Sequence, residues 1–477
     1  MSNKTFTKTT PPLRGTPPEE GNVKIPTASE PPSKQNSPPL EGWQAKPDGV
    51  VPKLRFPEFR DVGDWENEFF EELYSFKLTN TYSRDMLSYE KGLVKNIHYG
   101  DIHKKFSALF NIENEVVPFI SPSLSLLKIK PASYCVLGDM IFADASEDLG
   151  DIGKSIEIIK LNNEKLLAGL HTLLARQKNK KLAIGFGGYL FGSSKVREQI
   201  RKEAQGSKVF GISATRLLNI RISFPSDKKE QQKIADCLSS IDELIATQTQ
   251  KISALKTHKK ALMQQLFPAE GETAPKLRFA EFRDNGGWHT RQLGEFITER
   301  IQSLEEKLPL FSLTIETGIT AKTERYERSF LVKNEEEAYK VVLPNDFAYN
   351  PMNLRFGAIA RHSGAERVAL SKYYNIFYCD QSVEARFCEY YFKSDNMVKF
   401  YDNMAIGSLI EKRRVHFNEF LKFTIRFPIL KEQQKIADCL SSIDDLITAQ
   451  TQKLEALKAH KKGLMQQLFP SADDASD

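Results

Sequence analysis

The sequence has 477 residues, roughly three times the size of an average domain of about 150, so two or three folding units are expected. Charged residues make up 27% and hydrophobic residues 40%, with a mean hydropathy of −0.42, which excludes a membrane-spanning protein. Five scattered cysteines without a CxxC pair exclude a disulfide framework or a zinc cluster, and a net charge of +5 does not by itself indicate a nucleic-acid partner.

The first segment, residues 1–52, contains 11 of the 23 prolines and only two aromatic residues, Phe6 and Trp43. Such a segment cannot bury enough apolar surface to offset the entropy lost on ordering. We therefore expect a disordered, proline-rich tail, with a docking peptide as the alternative, and a second disordered tail at 471–477. No apolar core of about 7 to 15 residues follows the first lysines, so we expect no secretory signal and a cytoplasmic protein.

Behind the tail, the chain consists of two halves with the same order of segments. A 13-residue opener, KLRFPEFRDVGDW from Lys53, recurs as KLRFAEFRDNGGW from Lys276. A long repeat that begins EQQKIADCLSSID at Glu230 recurs at Glu432 and agrees at 32 of 39 positions. Between opener and long repeat lie two variable regions, roughly 66–224 and 289–427, which share no comparable identity. The chain is thus an internal repeat, which predicts that a pseudo-two-fold axis relates the two folded halves.

These boundaries predict a mixed α+β protein with two globular domains and two long helices. The first domain is expected at 53–228 and is followed by a helix at 229–268. The second domain is expected at 269–430 and is followed by a helix at 431–470. Both variable regions end in a hydrophobic, strand-like segment and a proline, Pro225 in the first half and Pro428 in the second.

Apolar residues in each long repeat are spaced alternately by three and four positions, which is the heptad pattern of helices that share a packing seam. No proline occurs in either copy before Pro268 and Pro470. Each copy is therefore predicted to form one helix of about 33 residues, ~50 Å in length. The predicted helix-pairing residues are Ile234, Leu238, Ile241, Ile245, Ile252, Leu255, Ile436, Leu440, Ile443, Ile447, Leu454 and Leu457.

Two matched seams in one chain favour pairing of the helices with each other, although an amphipathic helix packed on its own domain would show a similar pattern. Gln248 with Gln450, and Lys259 with Lys461, would interrupt the seam and help to set its register. A two-fold axis perpendicular to the helices gives an antiparallel coiled coil, and only this form matches the dyads of a DNA duplex. Two docking surfaces for one kind of partner, or a recent duplication, would equally explain the near-identity outside the seam.

Basic residues concentrate in the second part of each variable region. Residues 171–225 hold 11 basic and two acidic residues, and residues 347–428 hold 12 basic and eight acidic ones. Lysine and arginine suit phosphate contact, while asparagine and arginine can bond adenine and guanine edges bidentately. A solvated lysine face is the alternative for any one cluster. The predicted DNA contacts are His103, Lys104, Lys105, Lys180, Lys181, Asn353, Arg355, Arg361, Lys412, Arg413 and Arg414.

Catalytic motifs were sought and not found in the sequence. The segment from Asn350 to Asn353, NPMN, lacks the second proline and the aromatic residue of an adenine-methyltransferase turn. The segment DLGDIGKS has Asp148 at the position where a phosphate-binding loop needs its first glycine to form the turn. HExxH and GxSxG are also absent, so we expect neither a catalytic centre nor a bound metal.

The duplicated opener, variable region, EQQKIA start and heptad helix resemble the specificity subunit of type I restriction-modification systems. The resemblance covers the chain from Lys53 to Pro470 and leaves the tail outside the family pattern. It implies that each variable region is a target recognition domain of mixed α and β structure that reads one half of a split DNA target. Because recognition loops vary in sequence, the resemblance assigns no individual contact residue.

The resemblance also implies the partners of the chain. The two helices would form an antiparallel spacer that binds two modification subunits, which methylate adenine with S-adenosylmethionine. Restriction subunits would add ATP-driven translocation and cleavage. The chain itself would bind double-stranded DNA without catalysing a reaction or binding a cofactor.

Two other classes of function remain open from the residues alone. A solitary DNA adenine methyltransferase would bind S-adenosylmethionine by itself, which equilibrium dialysis would detect. A coiled-coil scaffold without a DNA ligand would show no sequence-dependent retention on DNA. The sequence does not give the target bases or the gap between half-sites.

Overall fold

A computed structural model describes residues 52–127, 129–322, 338–409 and 412–470. Apart from Pro52, the two predicted tails lie outside these residues. Both halves contain helices and strands, so the mixed α and β content agrees with the predicted fold class. Within the described ranges, none of the helices combines the length and the apolar character needed to cross a membrane.

The first variable region is built around a five-stranded and a four-stranded sheet. The strands are β1 Glu66–Phe69, β2 Tyr74–Lys77, β3 Leu87–Ser88, β4 Lys95–Ile97, β5 Leu109–Asn111, β6 Phe119–Ile120, β7 Met140–Ala143, β8 Ala145–Ser146, β9 Ser155–Lys160, β10 Leu166–Ala168, β11 Thr172–Gln177, β12 Phe210–Gly211 and β13 Arg221–Phe224. The helices are α1 Phe70–Leu73, α2 Tyr99–Lys104, α3 Phe186–Leu190, α4 Ser194–Glu203 and α5 Ala214–Leu218. The larger sheet has the order β2-β11-β7-β9-β5, and β7 is central because all four of its residues are apolar and buried.

The second variable region has a different sheet plan, with a four-stranded sheet of order β15-β22-β19-β20 and three strand pairs. The strands are β14 His289–Gln292, β15 Ile297–Glu299, β16 Phe311–Thr314, β17 Gly318–Ala321, β18 Tyr339–Val342, β19 Phe347–Tyr349, β20 Ile359–Arg361, β21 Val368–Ser371, β22 Asn375–Cys379 and β23 Thr424–Phe427. The helices outside the long repeat are α7 Ala385–Phe392, α8 Asp395–Met404 and α9 Phe417–Leu421. The different strand orders accompany the low identity of the two regions.

The two regions nevertheless share one feature: in each, the first strand pairs with the last. The first strand after each opener pairs antiparallel with the last strand before each long helix, Glu66 opposite Phe224 and His289 opposite Phe427. The hydrophobic segments noted before Pro225 and Pro428 are these closing strands, β13 and β23. The shared ends bring both termini of each variable region to one place, next to its opener and its long helix.

Two helices of 39 residues, α6 Lys228–Leu266 and α10 Leu430–Leu468, carry the long repeats. They are ~58 Å long and exceed the predicted length of about 33 residues, because each begins six residues before the first isoleucine of its seam, Ile234 or Ile436. In the middle of the pair, the Gln248 side-chain amide donates to the Gln450 backbone and side-chain oxygens at 2.8 Å each.

The two helices run in opposite directions. Lys259, near the end of α6, donates to both carboxylate oxygens of Asp444, near the start of α10, at 2.6 and 2.7 Å. Lys461 bonds Asp242 in the reciprocal way at 2.5 and 2.7 Å. Each of the two lysines that interrupt the seam thus takes a carboxylate of the opposite helix as its partner.

The predicted helix-pairing residues all lie on the buried or half-buried side of their helix. Buried side chains are Ile234, Leu238, Ile241, Ile252, Ile436, Leu440, Ile443 and Leu454, and half-buried ones are Ile245, Leu255, Ile447 and Leu457. Such burial is what a common seam requires. The pairing of each residue with a particular partner stays a prediction.

Each helix start is held by its opener through a buried ion pair. Arg55 bonds both carboxylate oxygens of Glu230 at 2.7 Å, and the Trp65 indole N–H donates to the same carboxylate at 3.4 Å. In the second half, Arg278 bonds Glu432 at 2.8 and 2.7 Å, and the Trp288 indole N–H lies 3.3 Å from it. The openers and the EQQ segments are thus repeated together because they contact each other.

The glutamine after each glutamate ties the helix to its own variable region. The Gln231 side chain donates to the Pro225 carbonyl at 2.7 Å and accepts from the Ala183 N–H at 2.6 Å. Gln433 donates to the Pro428 carbonyl and accepts from the Glu384 N–H, each at 2.9 Å. Part of the identity outside the seam therefore has an internal, structural cause.

The end of each long helix packs against the variable region of the other half. Leu468 and Phe469 belong to the core around Trp65, whereas Leu266 and Phe267 belong to the core around Trp288. The Leu54 N–H also donates to the Gln467 carbonyl at 2.9 Å, and the Leu277 N–H donates to the Gln265 carbonyl at 2.9 Å. Each variable region is consequently held between the start of one helix and the end of the other.

We expect Glu230→Ala to destabilise the protein by about 3–5 kcal/mol, because it leaves the Arg55 guanidinium buried without its carboxylate. Glu58→Ala is the matched control, since Glu58 belongs to the same opener but forms an exposed pair with Lys233. Urea unfolding of both variants would measure the difference. Equal unfolding midpoints for the two variants would show that the buried pair does not hold the helix start.

Candidate nucleic-acid interface

The first candidate surface surrounds α2, the short helix that carries the predicted contacts His103, Lys104 and Lys105. The helix is capped by His98, whose Nδ1 accepts from the Gly100 N–H at 3.2 Å. Buried Asp101 bonds Lys105 at 3.0 Å and also Arg84 at 3.1 Å, which lies in the short 3-10 helix Arg84–Met86. Cations from separate parts of the chain are therefore held together around one buried carboxylate.

Histidine and tyrosine rings extend this surface. The Tyr99 ring centroid lies 5.3 Å from that of His171, and His171 Nδ1 lies 3.1 Å from an Asp144 carboxylate oxygen. The side chain of Lys104 is exposed, while His103 Nε2 lies 2.9 Å from the Ala145 carbonyl oxygen. We use the term α2 surface for Arg84, Tyr99, Lys104, Lys105 and His171.

Two pKa shifts on the α2 surface follow from its packing. Burial lowers the pKa of His98, and the nearby Arg84 charge acts in the same direction. The hydrogen bond to Asp101 raises the pKa of Lys105. The helix cap thus favours neutral His98, while Lys105 stays charged as phosphate contact requires.

The structure does not bring Lys180 and Lys181 to the α2 surface. They follow the end of β11, whereas His171 precedes its start, and six residues of strand span ~20 Å. Lys180 is exposed in a left-handed backbone conformation, with φ of 50°. Lys181 bonds Glu66 and Glu68 of β1, so its charge is already neutralised within the domain.

In the second variable region, the structure joins two segments that are far apart in sequence. The Val415 N–H donates to the Pro351 carbonyl at 2.9 Å, which places the turn at 350–356 beside the segment at 405–415. Asp402 links them further through Arg355 at 2.8 Å and Arg413 at 3.6 Å. The predicted contacts near Asn353 and near Lys412 therefore belong to one surface.

Several arginines predicted to contact DNA form ion pairs or hydrogen bonds within the protein. The Arg355 side chain is 11% exposed in its pair with Asp402. The Arg361 side chain is 13% exposed and bonds Glu389 at 3.0 Å. Arg413 also donates to the Ala405 carbonyl at 3.1 Å. This geometry favours a structural role for Arg355, Arg361 and Arg413, because a guanidinium must be free on its donor edge to bond a base.

The exposed side chains of this surface are of a different kind. Asn353 and Lys412 are exposed, and Phe356 and Ile406 expose 55% and 58% of their surface. Arg414 is half-buried, and its backbone pairs with Ile406 in an isolated bridge. We use the term 353/412 surface for Asn353, Phe356, Ile406 and Lys412.

Arg84, Tyr99 and His171 in the first surface, and Phe356 and Ile406 in the second, were not predicted from the sequence. Arg84 and His171 are separated from α2 by other strands, so no local spacing could have indicated them. Phe356 and Ile406 are apolar, and only basic and amide side chains indicate DNA contact in a sequence. Their exposure suits apolar contact with the thymine methyl group.

The segments that resembled catalytic motifs have structural roles. The Asn350 side-chain oxygen accepts from the N–H groups of Met352 and Asn353 at 3.0 and 3.2 Å, which closes a turn. The Lys154 ammonium donates to the His103 carbonyl at 2.8 Å, beneath the α2 surface. In the described ranges, histidine, cysteine and acidic residues form no group of three or more that could hold a metal ion.

A family model described as "Type I restriction modification DNA specificity domain" matches residues 101–257 and 363–459. These two matches cover more than half of the chain. Each match begins in a variable region, runs through its closing strand and extends well into the long helix that follows. Each folded half therefore contains one of the two matches.

Two relatives from Methanocaldococcus jannaschii carry names of the same kind. One bears the provisional name of type I restriction enzyme MjaX specificity subunit; it is 26% identical over 355 residues, which cover 70% of this chain and 78% of the relative. The other is the type I restriction enzyme MjaVIII specificity subunit, 25% identical over 302 residues, covering 59% of this chain and 69% of the relative.

The fold is similar to that of a crystal structure described as the S subunit of a type I restriction-modification system from M. genitalium. The TM-score is 0.51 at 14% sequence identity, and the alignment covers 88% of this chain and 100% of the solved chain. At this identity, the similarity concerns the fold.

Proposed function

The chain belongs to the type I restriction-modification DNA specificity family, and from this premise we propose that it recognises a split, asymmetric DNA target for a methylating and restricting complex. DNA sequence recognition is the family function. The single observation that carries the proposal for a split target is the duplicated family match, since each match includes the later part of one variable region and most of the helix that follows it.

Two unlike variable regions imply two unlike half-sites. In this proposal, each region is a target recognition domain, and the α2 surface and the 353/412 surface face the DNA. Lys104 and Lys105 would contact phosphates, and Asn353 would bond an adenine edge. Exposed Phe356 and Ile406 support base contact in the second half-site, because apolar side chains serve thymine methyl groups.

The helix pair is proposed to act as an antiparallel coiled-coil spacer between the half-sites. The reciprocal bonds of Lys259 with Asp444 and of Lys461 with Asp242 support a single register. A helix pair of ~58 Å can hold two domains about one DNA turn apart on the same face, since one turn spans about 34–36 Å. The bases between the half-sites would then not be read.

The partners are proposed from family membership. Two modification subunits would bind the helix pair and methylate adenine, and restriction subunits would add translocation and cleavage. The chain would itself be non-catalytic and would need no cofactor. Family membership does not favour a solitary methyltransferase or a scaffold without a DNA ligand.

Selection of duplexes from a random pool by the purified full chain would test the proposed target. We expect enrichment of two short, unrelated sequences at a constant spacing, with random bases between them. Addition of the modification subunits should then methylate adenines in those sequences, whereas the chain alone should transfer no methyl group. A continuous palindrome, or methyl transfer by the clean chain alone, would contradict the proposal.

A further inference from the structure

A basic cleft lies where the end of α6 meets the second variable region. Its volume is about 520 Å³, and one carboxylate, Asp395, lies in its wall. That carboxylate already accepts a hydrogen bond from the Gln264 side chain at 3.0 Å. Six lysines line the cleft: Lys256, Lys259, Lys260, Lys276, Lys393 and Lys399.

Two of the six lysines are neutralised by the protein itself. Lys259 bonds Asp444, and Lys393 lies 3.4 Å from a Glu389 carboxylate oxygen. The other four, Lys256, Lys260, Lys276 and Lys399, are exposed. In the part of the chain that the structure describes, none of these four forms a salt bridge with a carboxylate. The cleft therefore carries uncompensated positive charge outside both candidate recognition surfaces.

The lysines on the repeated segments recur in the other half. Lys458, Lys461 and Lys462 of α10 correspond to Lys256, Lys259 and Lys260, and Lys53 corresponds to Lys276. The variable region differs, because Gly192 and Glu198 stand where the second half has Lys393 and Lys399, counted from the N-cap serines of α4 and α8. Lys458 also forms an ion pair with Glu455 at 2.9 Å, so the second-half cleft is the more basic of the two related sites.

The spacing of the two sites matches a DNA duplex. Lys256 and Lys260 lie 8 and 12 residues beyond Gln248, and Lys458 and Lys462 lie equally far beyond Gln450 in the opposite direction. At about 1.5 Å per residue, the two sites are roughly 24 to 36 Å apart along the helix pair. A duplex presents the same face about every 34–36 Å.

The two sites also lie on one face of the helix pair. A two-fold axis that exchanges two antiparallel helices is normal to the plane containing both, so it keeps related sites on the same side. A polyanion lying along this face would meet both lysine sets. Lysine suits this task because it is a compact point charge on a flexible stem and does not demand bidentate geometry.

We propose that this cleft and its counterpart bind the sugar-phosphate backbone of the duplex between the two half-sites. The inference rests on the proposed function and deepens it. In addition to separating the recognition domains, the helix pair would contact the phosphates of the base pairs between the half-sites, whose sequence is not read. Phosphate contacts add affinity and set position without reading sequence. An acidic segment of a partner subunit is the other occupant that this charge would suit.

The test compares Lys256→Gln/Lys260→Gln with the control Lys251→Gln/Lys453→Gln in the full chain. The control removes two exposed lysines from the same helix pair but outside the clefts. Binding to target and scrambled duplexes is measured over a range of salt concentrations. A plot of log K against log salt has a negative slope, and each lost phosphate contact makes it shallower by about 0.9. The slope of the cleft variant should therefore be shallower by nearly two units, and its affinity should fall at least about tenfold.

The loss should be the same for target and scrambled duplexes, and the control should bind like the unmodified chain. Lys458→Gln/Lys462→Gln should have a smaller effect, because Glu198 corresponds there to a lysine of the second half and Lys458 already forms an ion pair with Glu455. An unchanged slope in the cleft variant, or an equal loss in the control, would overturn the inference. Lost assembly with modification subunits at an unchanged slope would assign the cleft to a protein partner and also overturn it.

Failure of the proposed function would look different. In that case, the unmodified chain would not distinguish target from scrambled duplexes at any salt concentration. The slope comparison on scrambled duplexes would still report on the cleft.

Discussion

Exchange of residues 289–427 for the corresponding region of another specificity subunit should change one half of the DNA target and leave the other half and the gap unchanged. The reason is structural separation: the described sheets of the two variable regions share no strand, and each region has its own core. Methylated adenines mapped across the genome of cells carrying each chain with its modification subunits would show the result.

The exchanged region must keep the contacts that seat it on the helices. Tyr390 donates to Asp444 at 2.7 Å, and Phe387 and Tyr391 pack against Phe267 and Trp288. A chimera that retains these aromatic residues should therefore dock normally. The matched control exchanges residues 66–224 and retains Tyr189, which donates to Asp242 at 2.9 Å. A single exchange that altered both half-sites would refute independent recognition.

Leu457→Asp should abolish the ordered helix pair and with it methylation at the split target. Leu457 is half-buried on the seam side of α10, so the substitution places a carboxylate in an apolar contact. Loss of the apolar side chain and burial of a charge together are expected to cost about 3–5 kcal/mol. Because each helix end also packs on the other half, separation of the helices should loosen both variable regions.

Leu446→Asp is the matched control, since Leu446 lies on the same helix but exposes 50% of its surface. It should leave stability and target unchanged. Urea unfolding and methylation mapping of both variants would measure the two effects. Normal stability and a normal target for Leu457→Asp would contradict a shared seam.

The sequence alone determined the order of segments, the two long helices and the family. These features depend on local periodicity and on identity between the halves, both of which can be read without a structure. The seam residues Ile234 to Leu457 follow a heptad pattern, and such a pattern places apolar side chains on one helix face whatever surrounds it. Which recognition residues contact which bases stays a prediction.

Only the tertiary structure decided which charged residues were available for DNA. Arg355 and Arg361 resemble base-reading arginines in sequence, but Asp402 and Glu389, 47 and 28 residues away, bind them in the fold. Likewise, Lys259 interrupts the apolar seam in sequence, but only the fold shows that its partner is Asp444. Ion pairs between distant segments leave no spacing in the sequence, because the geometry that joins them is created by packing.

The same reason explains why the sequence did not reveal the partner of the opener. Its repetition was visible in sequence, yet its partner was not, because Arg55 and Glu230 are 175 residues apart. Burial of this pair, repeated by Arg278 and Glu432, joins each variable region to the start of its helix. Local pattern thus determined the elements, and long-range burial and charge pairing determined how they meet.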